Sequence, residues 1–146
     1  MIIYLGTDHA GFELKEAIRT HLQKRGYDVE DKGAHWYDGE DDYPDFIRPV
    51  AEAVAGDPSS RGIILGGTGQ GEAMTANRVP GVRAAVYYGG PEDIVRLSRQ
   101  HNNANILSLG ARFLTEKKAL KAVTLWLETA FEGGRHERRI TKMDGS

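Results

Sequence analysis

The residue types and spacing most suggestive of chemistry lie in Gly66-Gly67-Thr68-Gly69-Gln70-Gly71-Glu72, directly after the apolar run Gly62-Ile63-Ile64-Leu65. Four glycines between positions 66 and 71 let the backbone pass close to a ligand and aim its N–H groups at it. Glu72–Asn77 reads as the first turns of a helix, whose N-terminus adds positive potential, so the turn favours negative charge. A phosphate-binding P-loop would carry lysine at this point. Here the loop ends in a carboxylate, a proton acceptor beside donors able to hold an oxyanion. A plainer reading stays open, in which Glu72 is a first-turn acid stabilised by the helix dipole after a tight strand-to-helix turn. The dinucleotide reading is weaker. Gly67-x-Gly69-x-x-Glu72 lacks the third glycine, and no acid ends a clear strand ~20 residues on.

Other candidates have a functional and a structural reading each. Asp8 alone suits a helix cap and His9 alone a hydrogen-bonded histidine, but together at a strand end facing the glycine loop they point to function. No second histidine or acid cluster at ligand spacing supports a metal site. His101 falls at a helix end, where its cation would offset the dipole, or it serves as a general acid–base near neutrality. Asn102 and Asn103 suit a left-handed helix stop. Arg135 and Arg139 share one face of a helical tail. With Arg112 they could clamp a phosphate through forked, charge-assisted hydrogen bonds, or they belong to a solvated charged tail. His21, His35, His136 and Arg138 read as surface residues, and Trp36 and Trp126 as packing or interface aromatics. No serine–histidine–acid arrangement is evident.

The elements that must position these groups alternate. Strands are expected at Ile2–Leu5, Tyr27–Val29, Gly62–Leu65, Val82–Tyr87 and Ile106–Leu109. Helices are expected from Phe12 to a stop at Gly26, over Asp45–Ala55 behind Pro44, over Glu72–Arg78 and Glu92–Gln100. Lys117–Phe131 is expected to be the longest, and the tail from Arg135 opens with a short helix. Asp38–Pro44 is an acidic, turn-forming loop. Strict alternation is the signature of a parallel sheet covered on both faces. Such sheets bind ligands beyond the carboxyl ends of their strands. Asp8-His9 follows strand one, the glycine loop strand three, and Gly110-Ala111-Arg112 strand five. With His101-Asn102-Asn103 added, one edge is expected to collect the acids, histidines, arginine and backbone nest.

Length and composition narrow the class. The chain of 146 residues reads as one domain, 1–146, large enough for a proper core. A net charge of -2 offers no basic surface for a nucleic acid. Zero cysteines exclude disulfides, thiolate nucleophiles and cysteine-ligated zinc, and they fit a reducing compartment. The N-terminus enters a strand at once, without signal-peptide or membrane-span character, so the expected location is cytoplasmic with no membrane partner.

Taken in order, Gly6-Thr7-Asp8-His9-Ala10-Gly11, Asp42-Tyr43-Pro44, Gly66–Glu72, Ala76-Asn77-Arg78, Arg99-Gln100-His101-Asn102 and Gly134–Arg139 resemble the type B ribose-5-phosphate isomerase family, which includes galactose-6-phosphate and allose-6-phosphate isomerases. The resemblance runs from Ile2 to about Ile140. It implies a three-layer α/β/α sandwich with a five-stranded parallel, Rossmann- or flavodoxin-like sheet. It also implies a homodimer, in some members a tetramer, with sites built from both subunits and the tail from about Arg135 reaching across the interface. Many members place a catalytic cysteine where this chain has Gly66; a second branch uses a glutamate at the loop's end, matched by Glu72.

The roles implied follow that branch. Glu72 would move a proton between C2 and C1 through an enediolate. Gly67, Gly69, Gln70 and Gly71 N–H groups, with Asn102, would hold the oxyanion, such donors being worth ~3–4 kcal/mol each. His101 would open the sugar ring, Asp8 and Thr68 would bind hydroxyls, and His9, Arg112, Arg135 and Arg139 would bind phosphate. No metal or organic cofactor is implied, the substrate being a small sugar phosphate. Tyr87-Tyr88-Gly89-Gly90-Pro91 is longer than the glutamate branch leads one to expect, which leaves five- and six-carbon sugars both open. A non-catalytic nucleotide- or phospho-sugar-binding module on the same fold is the alternative from another class.

Overall fold

In the computed structural model, which describes residues 1–145, five short segments become strands: β1 (Ile2–Thr7), β2 (Asp28–Asp31), β3 (Arg61–Gly66), β4 (Ala84–Tyr87) and β5 (Ile106–Gly110), all but the acidic β2 from apolar runs. All pair in parallel in the order β2-β1-β3-β5-β4. The inner strands β1, β3 and β5 are buried along almost their whole length, as their continuous apolar residues require. β4 is half-buried and takes the edge, its alanines offering little to bury. The last two strands therefore sit in exchanged order, with β5 entering between β3 and β4.

Helices cover both faces of this sheet. On one face Ile18 and Leu22 of α1 (Phe12–Lys24), Val95 of α4 (Asp93–Gln100) and Ala119, Val123 and Trp126 of α5 (Glu116–Glu128) pack against Ile3, Leu5, Ile63 and Leu107. On the other, Ile47, Val50, Ala51 and Val54 of α2 (Pro44–Gly56) and Ala76 of α3 (Gln70–Ala76) pack against Tyr4, Ile64 and Ile106. The spacing of those α2 residues puts them on one helical stripe, and Pro44 starts the helix where its missing N–H costs nothing. A sixth helix, α6 (Arg135–Met143), buries only His136. α5 ends at Glu128 rather than Phe131, and at 13 residues it equals α1 and α2 instead of exceeding them. Among the described residues no helix is long and apolar enough to cross a membrane.

One buried cation ties the sheet edge to the loop beyond it. Lys15 on α1 is fully buried and its Nζ donates to Asp31 Oδ2 and to the Ala34 carbonyl, each at 2.6 Å. Asp31 Oδ1 accepts from Gly33 N–H at 2.8 Å, and Thr7 and Ala34 exchange backbone bonds with the same turn. The chain leaving β2 is thereby pinned beside the end of β1. Removing one partner of such a pair leaves an uncompensated charge. Lys15→Met should thus lower the unfolding free energy by about 3–5 kcal/mol in urea titrations. An unchanged midpoint would mean that Asp31 finds water or another partner at no cost.

Candidate active site

The chain leaves β1 through α1 on one face and β3 through α3 on the other, so the carboxyl ends of these two neighbours part and leave a crevice. That crevice is a cleft of about 340 Å³ lined by Asp8, His9, Tyr43, Thr68, Glu72 and Arg112, with Gly67 and Gly71 on its floor.

Glu72 sits in the first turn of α3 and is only 4% exposed. Its carboxylate occupies the place of a residue-66 side chain: a Cβ on Gly66 would lie 2.1 Å from Glu72 Cδ and Oε2. Burial is the main influence on its proton affinity and pushes its pKa up, with the charge of Asp8 adding to this; N–H groups of Glu72 itself and Gly69 pull it back. Those donors turn inward because Gly69 adopts φ of +78°, a conformation suited to glycine. The loop's carbonyls are held from β5: Ser108 Oγ donates to Gly69 O at 2.6 Å, Ala111 N–H to Gly66 O at 2.8 Å, Arg112 N–H to Gly67 O at 3.0 Å. The nest thus serves the glutamate first, and Gly67 and Gly71 remain on the cleft lining. Gln70 is exposed outside the cleft, and its N–H is taken by Thr68 Oγ1 at 3.2 Å.

Opposite the loop, Asp8 is 7% exposed and caps the single turn of 3-10 helix that follows β1, its Oδ1 accepting from Ala10 N–H at 3.0 Å. Burial raises its pKa, against the opposing pull of the Ala10 N–H and His9. His9 Nδ1 lies 2.7 Å from Asp41 Oδ1, which also accepts His9 N–H at 3.0 Å. This bond to Asp41 raises the His9 pKa and favours the imidazolium, while Arg112 opposes it. Tyr37 stands edge-on to the His9 ring, and the Arg112 guanidinium lies over Gly67. The cleft therefore joins a buried carboxylate, the Arg112 guanidinium, a histidine biased towards its cation and a second acid. Sequence reasoning missed Asp41, hidden in a loop read only as turn-forming, and Tyr43, whose hydroxyl packs on Gly71. Tyr43 carried a signal in Asp42-Tyr43-Pro44; Asp41 carried none beyond its acidity.

His101, Asn102, Arg135 and Arg139 do not join this cleft, contrary to the expectation of one edge. His101 ends α4 and leads into the amino end of β5, whereas Glu72 follows the carboxyl end of β3, and the two strands are paired in register. Five residues of parallel strand separate the edges by roughly 13–17 Å, before the loops are counted. α6 belongs to the far edge too: Glu132 N–H donates to Gln100 O at 3.1 Å, and Met143 lines a depression of about 450 Å³ with Asn102 and Arg83. The positive φ expected near the helix stop occurs at Asn103, not Asn102. His136, read as a surface residue, is 5% exposed and stacks on His101. His21 is half-buried with Nε2 2.9 Å from Thr124 Oγ1, Trp126 is fully buried, and Trp36 is exposed.

Among the described residues, two side-chain groups have potential ligand atoms within 4.8 Å of one another, Asp8–His9–Asp41 and His101–Glu132–His136, neither visible as a sequence spacing. In the first, Nδ1 of His9 is engaged by Asp41. In the second, the rings lie within 16° of parallel, so their in-plane lone pairs do not converge on one ion.

The chain has similar proteins in both sequence and fold. A family model described as Ribose/Galactose Isomerase matches residues 3–143. Ribose-5-phosphate isomerase B of Mycolicibacterium paratuberculosis is 45% identical over 141 residues, 96% of this chain and 87% of that protein. The protein of that name from Escherichia coli K12 is 43% identical over 138 residues, 94% and 91% of the two chains. A crystal structure of ribose-5-phosphate isomerase B from Mycoplasma genitalium with bound ribulose-5-phosphate superposes with a TM-score of 0.95 at 43% identity, covering 99% of this chain and 94% of that one.

The raised pKa of Glu72 has a consequence for stability that is independent of any activity. Folded Glu72 holds its proton more tightly than the unfolded side chain, whose ordinary value is 4.5, so stability falls as pH rises from there through the folded value. Glu72→Gln removes this loss. Thermal unfolding should find the variant more stable than the parent at neutral pH, with the advantage vanishing below pH 4.5. A plain first-turn acid favoured by the dipole predicts the opposite sign at neutral pH.

Proposed function

The chain belongs to the ribose/galactose isomerase family, and on that premise we propose that it interconverts ribose 5-phosphate and ribulose 5-phosphate with Glu72 as the base. The observation that carries this reading is the buried Glu72 carboxylate, seated in the space of an absent residue-66 side chain and facing a cleft with cations at its mouth. In the family's cysteine branch that position holds the reactive thiol, so the carboxylate stands where the base is required.

Glu72 takes the proton from C2 of the open-chain aldose and returns it to C1. Its raised proton affinity brings it closer to the pKa a base needs near neutrality. The Gly67 and Gly71 N–H groups stabilise the enediolate oxygens, Asp8 and Thr68 bind hydroxyls, and His9 and Arg112 hold the phosphate. The five-carbon substrate is favoured because the relatives matched over most of their length carry the ribose-5-phosphate isomerase name. A single domain acting in the cytoplasm completes the reading, a compartment suited to a chain without cysteine.

Ring opening by His101 and phosphate binding by Arg135 and Arg139 need a second copy of the chain. These residues lie on the far edge of their own sheet, so a two-fold homodimer that sets the far edge of each protomer against the cleft of the other assembles two complete sites. Arg135 and Arg139, both exposed and one helical turn apart, suit a phosphate presented from the partner.

Two experiments test this. Glu72→Gln should keep the fold and phosphate-ligand binding while isomerisation of ribose 5-phosphate drops roughly 10²–10⁴-fold, the range for loss of a general base. Exchange of the C2 proton with solvent deuterium should vanish with it; turnover near the parent rate removes Glu72 from the mechanism. For the shared site, mixing Glu72→Gln with Arg135→Ala/Arg139→Ala should restore activity through hybrid dimers carrying one intact site. Silence after demonstrated subunit exchange would show that each chain supplies its own site.

A further inference from the structure

The far edge holds an aromatic pair that no role above accounts for. His101 closes α4, its N–H donating to Leu97 O at 2.9 Å, and its ring lies face to face with that of His136 from α6, 4.3 Å between centroids and 16° between planes. The partners differ in exposure: His101 is half-buried, while His136 is 5% exposed. His136 Nε2 is wholly buried and, among the described residues, meets no hydrogen-bond partner. An imidazolium has a donor at each nitrogen and needs an acceptor for both. A buried ring with one nitrogen unpartnered is therefore poorly made to carry a proton, and better made to be a surface for another ring.

We propose that His136 is a positioning residue for His101: its neutral imidazole is the plate on which the His101 ring is stacked and aimed. The inference rests on the proposed role of His101 in ring opening. The surroundings of His136 hold it neutral. Burial lowers its pKa, and repulsion of a second positive charge by neighbouring His101, Arg135 and Arg139 lowers it further; Glu132, between α5 and α6, opposes them. A neutral aromatic face accepts either charge state of the His101 ring, and favours the cation through its π electrons. The stack also orders the tail. Glu132 N–H, in the turn before α6, bonds Gln100 O, and the ring pair joins α6 itself to the end of α4. Arg135 adjoins His136 in sequence, and Arg139 lies one turn on. The same contact thus sets the acid–base group and the two phosphate ligands at a fixed spacing, which proton transfer and phosphate anchoring on one substrate require.

The test compares His136→Leu, which fills space without a π face, with His136→Phe, which keeps one. In the parent, the ring protons of His101 should appear upfield in NMR spectra, shifted by the current of the stacked ring. In His136→Leu they should move to ordinary histidine positions, and kcat for ribose 5-phosphate should fall roughly 10- to 100-fold with KM little changed, as for a misaimed catalytic group. His136→Phe should restore the upfield shift and most of kcat. A His136→Leu protein with parental kcat, or with unmoved His101 ring protons, overturns the proposal. So does a His136→Phe protein as slow as the leucine variant. If the parent itself failed to isomerise ribose 5-phosphate, the proposed function would fall, and the ring-proton shifts alone would decide the stack.

Discussion

Burying a carboxylate where β1 and β3 diverge is the constraint around which this structure is arranged. At 4% exposure, Glu72 has lost most of the water that would hydrate its charge, and such a group stays ionised only where other donors replace that water. Room for it exists because residue 66 has no side chain. Its donors exist because Gly69 takes a left-handed conformation that turns the Gly69 and Glu72 N–H groups inward. That turn is in turn held by Ser108, Ala111 and Arg112, and they can reach it because β5 lies next to β3. Were β4 in that place, as chain order alone would put it, the loop would lose these anchors. Sheet order and the buried Glu72 carboxylate are thus connected through a few hydrogen bonds to carbonyls.

A second set of contacts works on the opposite wall. The Lys15–Asp31 clasp fixes the chain leaving β2 against the end of β1, from which the loop runs on to Asp41. Asp41 holds His9 by both its ring and its backbone N–H, so the imidazole is oriented and biased towards the cation before any ligand arrives. Across the cleft the Arg112 guanidinium rests over Gly67, where a side chain would displace it. Acids and basic groups differ in depth: the Asp8 and Glu72 carboxylates are buried in the turns just beyond β1 and β3, while His9 is half-buried and Arg112 exposed. On the proposed reading, a phosphorylated sugar fits that polarity, with its phosphate outward and its reacting carbons towards Glu72.

The far edge obeys the same physics with different parts. A helix C-terminus, a turn of asparagines and a short tail helix carry groups that on the proposed reading act in the partner's cleft. No element of the protomer folds back to bring them round, because every connection in a parallel sheet returns its helix to the amino edge before the next strand begins. On the proposed reading, division of the site between two chains follows from that topology as much as from the choice of residues.

Most of the architecture was legible in the sequence for one reason: apolar runs, helix stripes and glycine or proline stops are local patterns, and local patterns report burial. The five strands, the helices and the suspicion attached to Gly66–Glu72 and Asp8-His9 all rest on neighbours within a few residues. What the sequence could not decide was which distant residues meet. It read His101 and Asn102 as edge-mates of Glu72 because they precede a strand, although they precede its amino end. His136 looked like surface because its burial comes from stacking on a residue 35 positions earlier, and Asp41 looked like a turn because its partner His9 lies 32 positions away. The exchange of β4 and β5 is of the same kind, set by how much each strand must bury against all others at once. Local chemistry chose the groups; only the packing of the whole sheet decided which edge, which depth and which neighbour each would have.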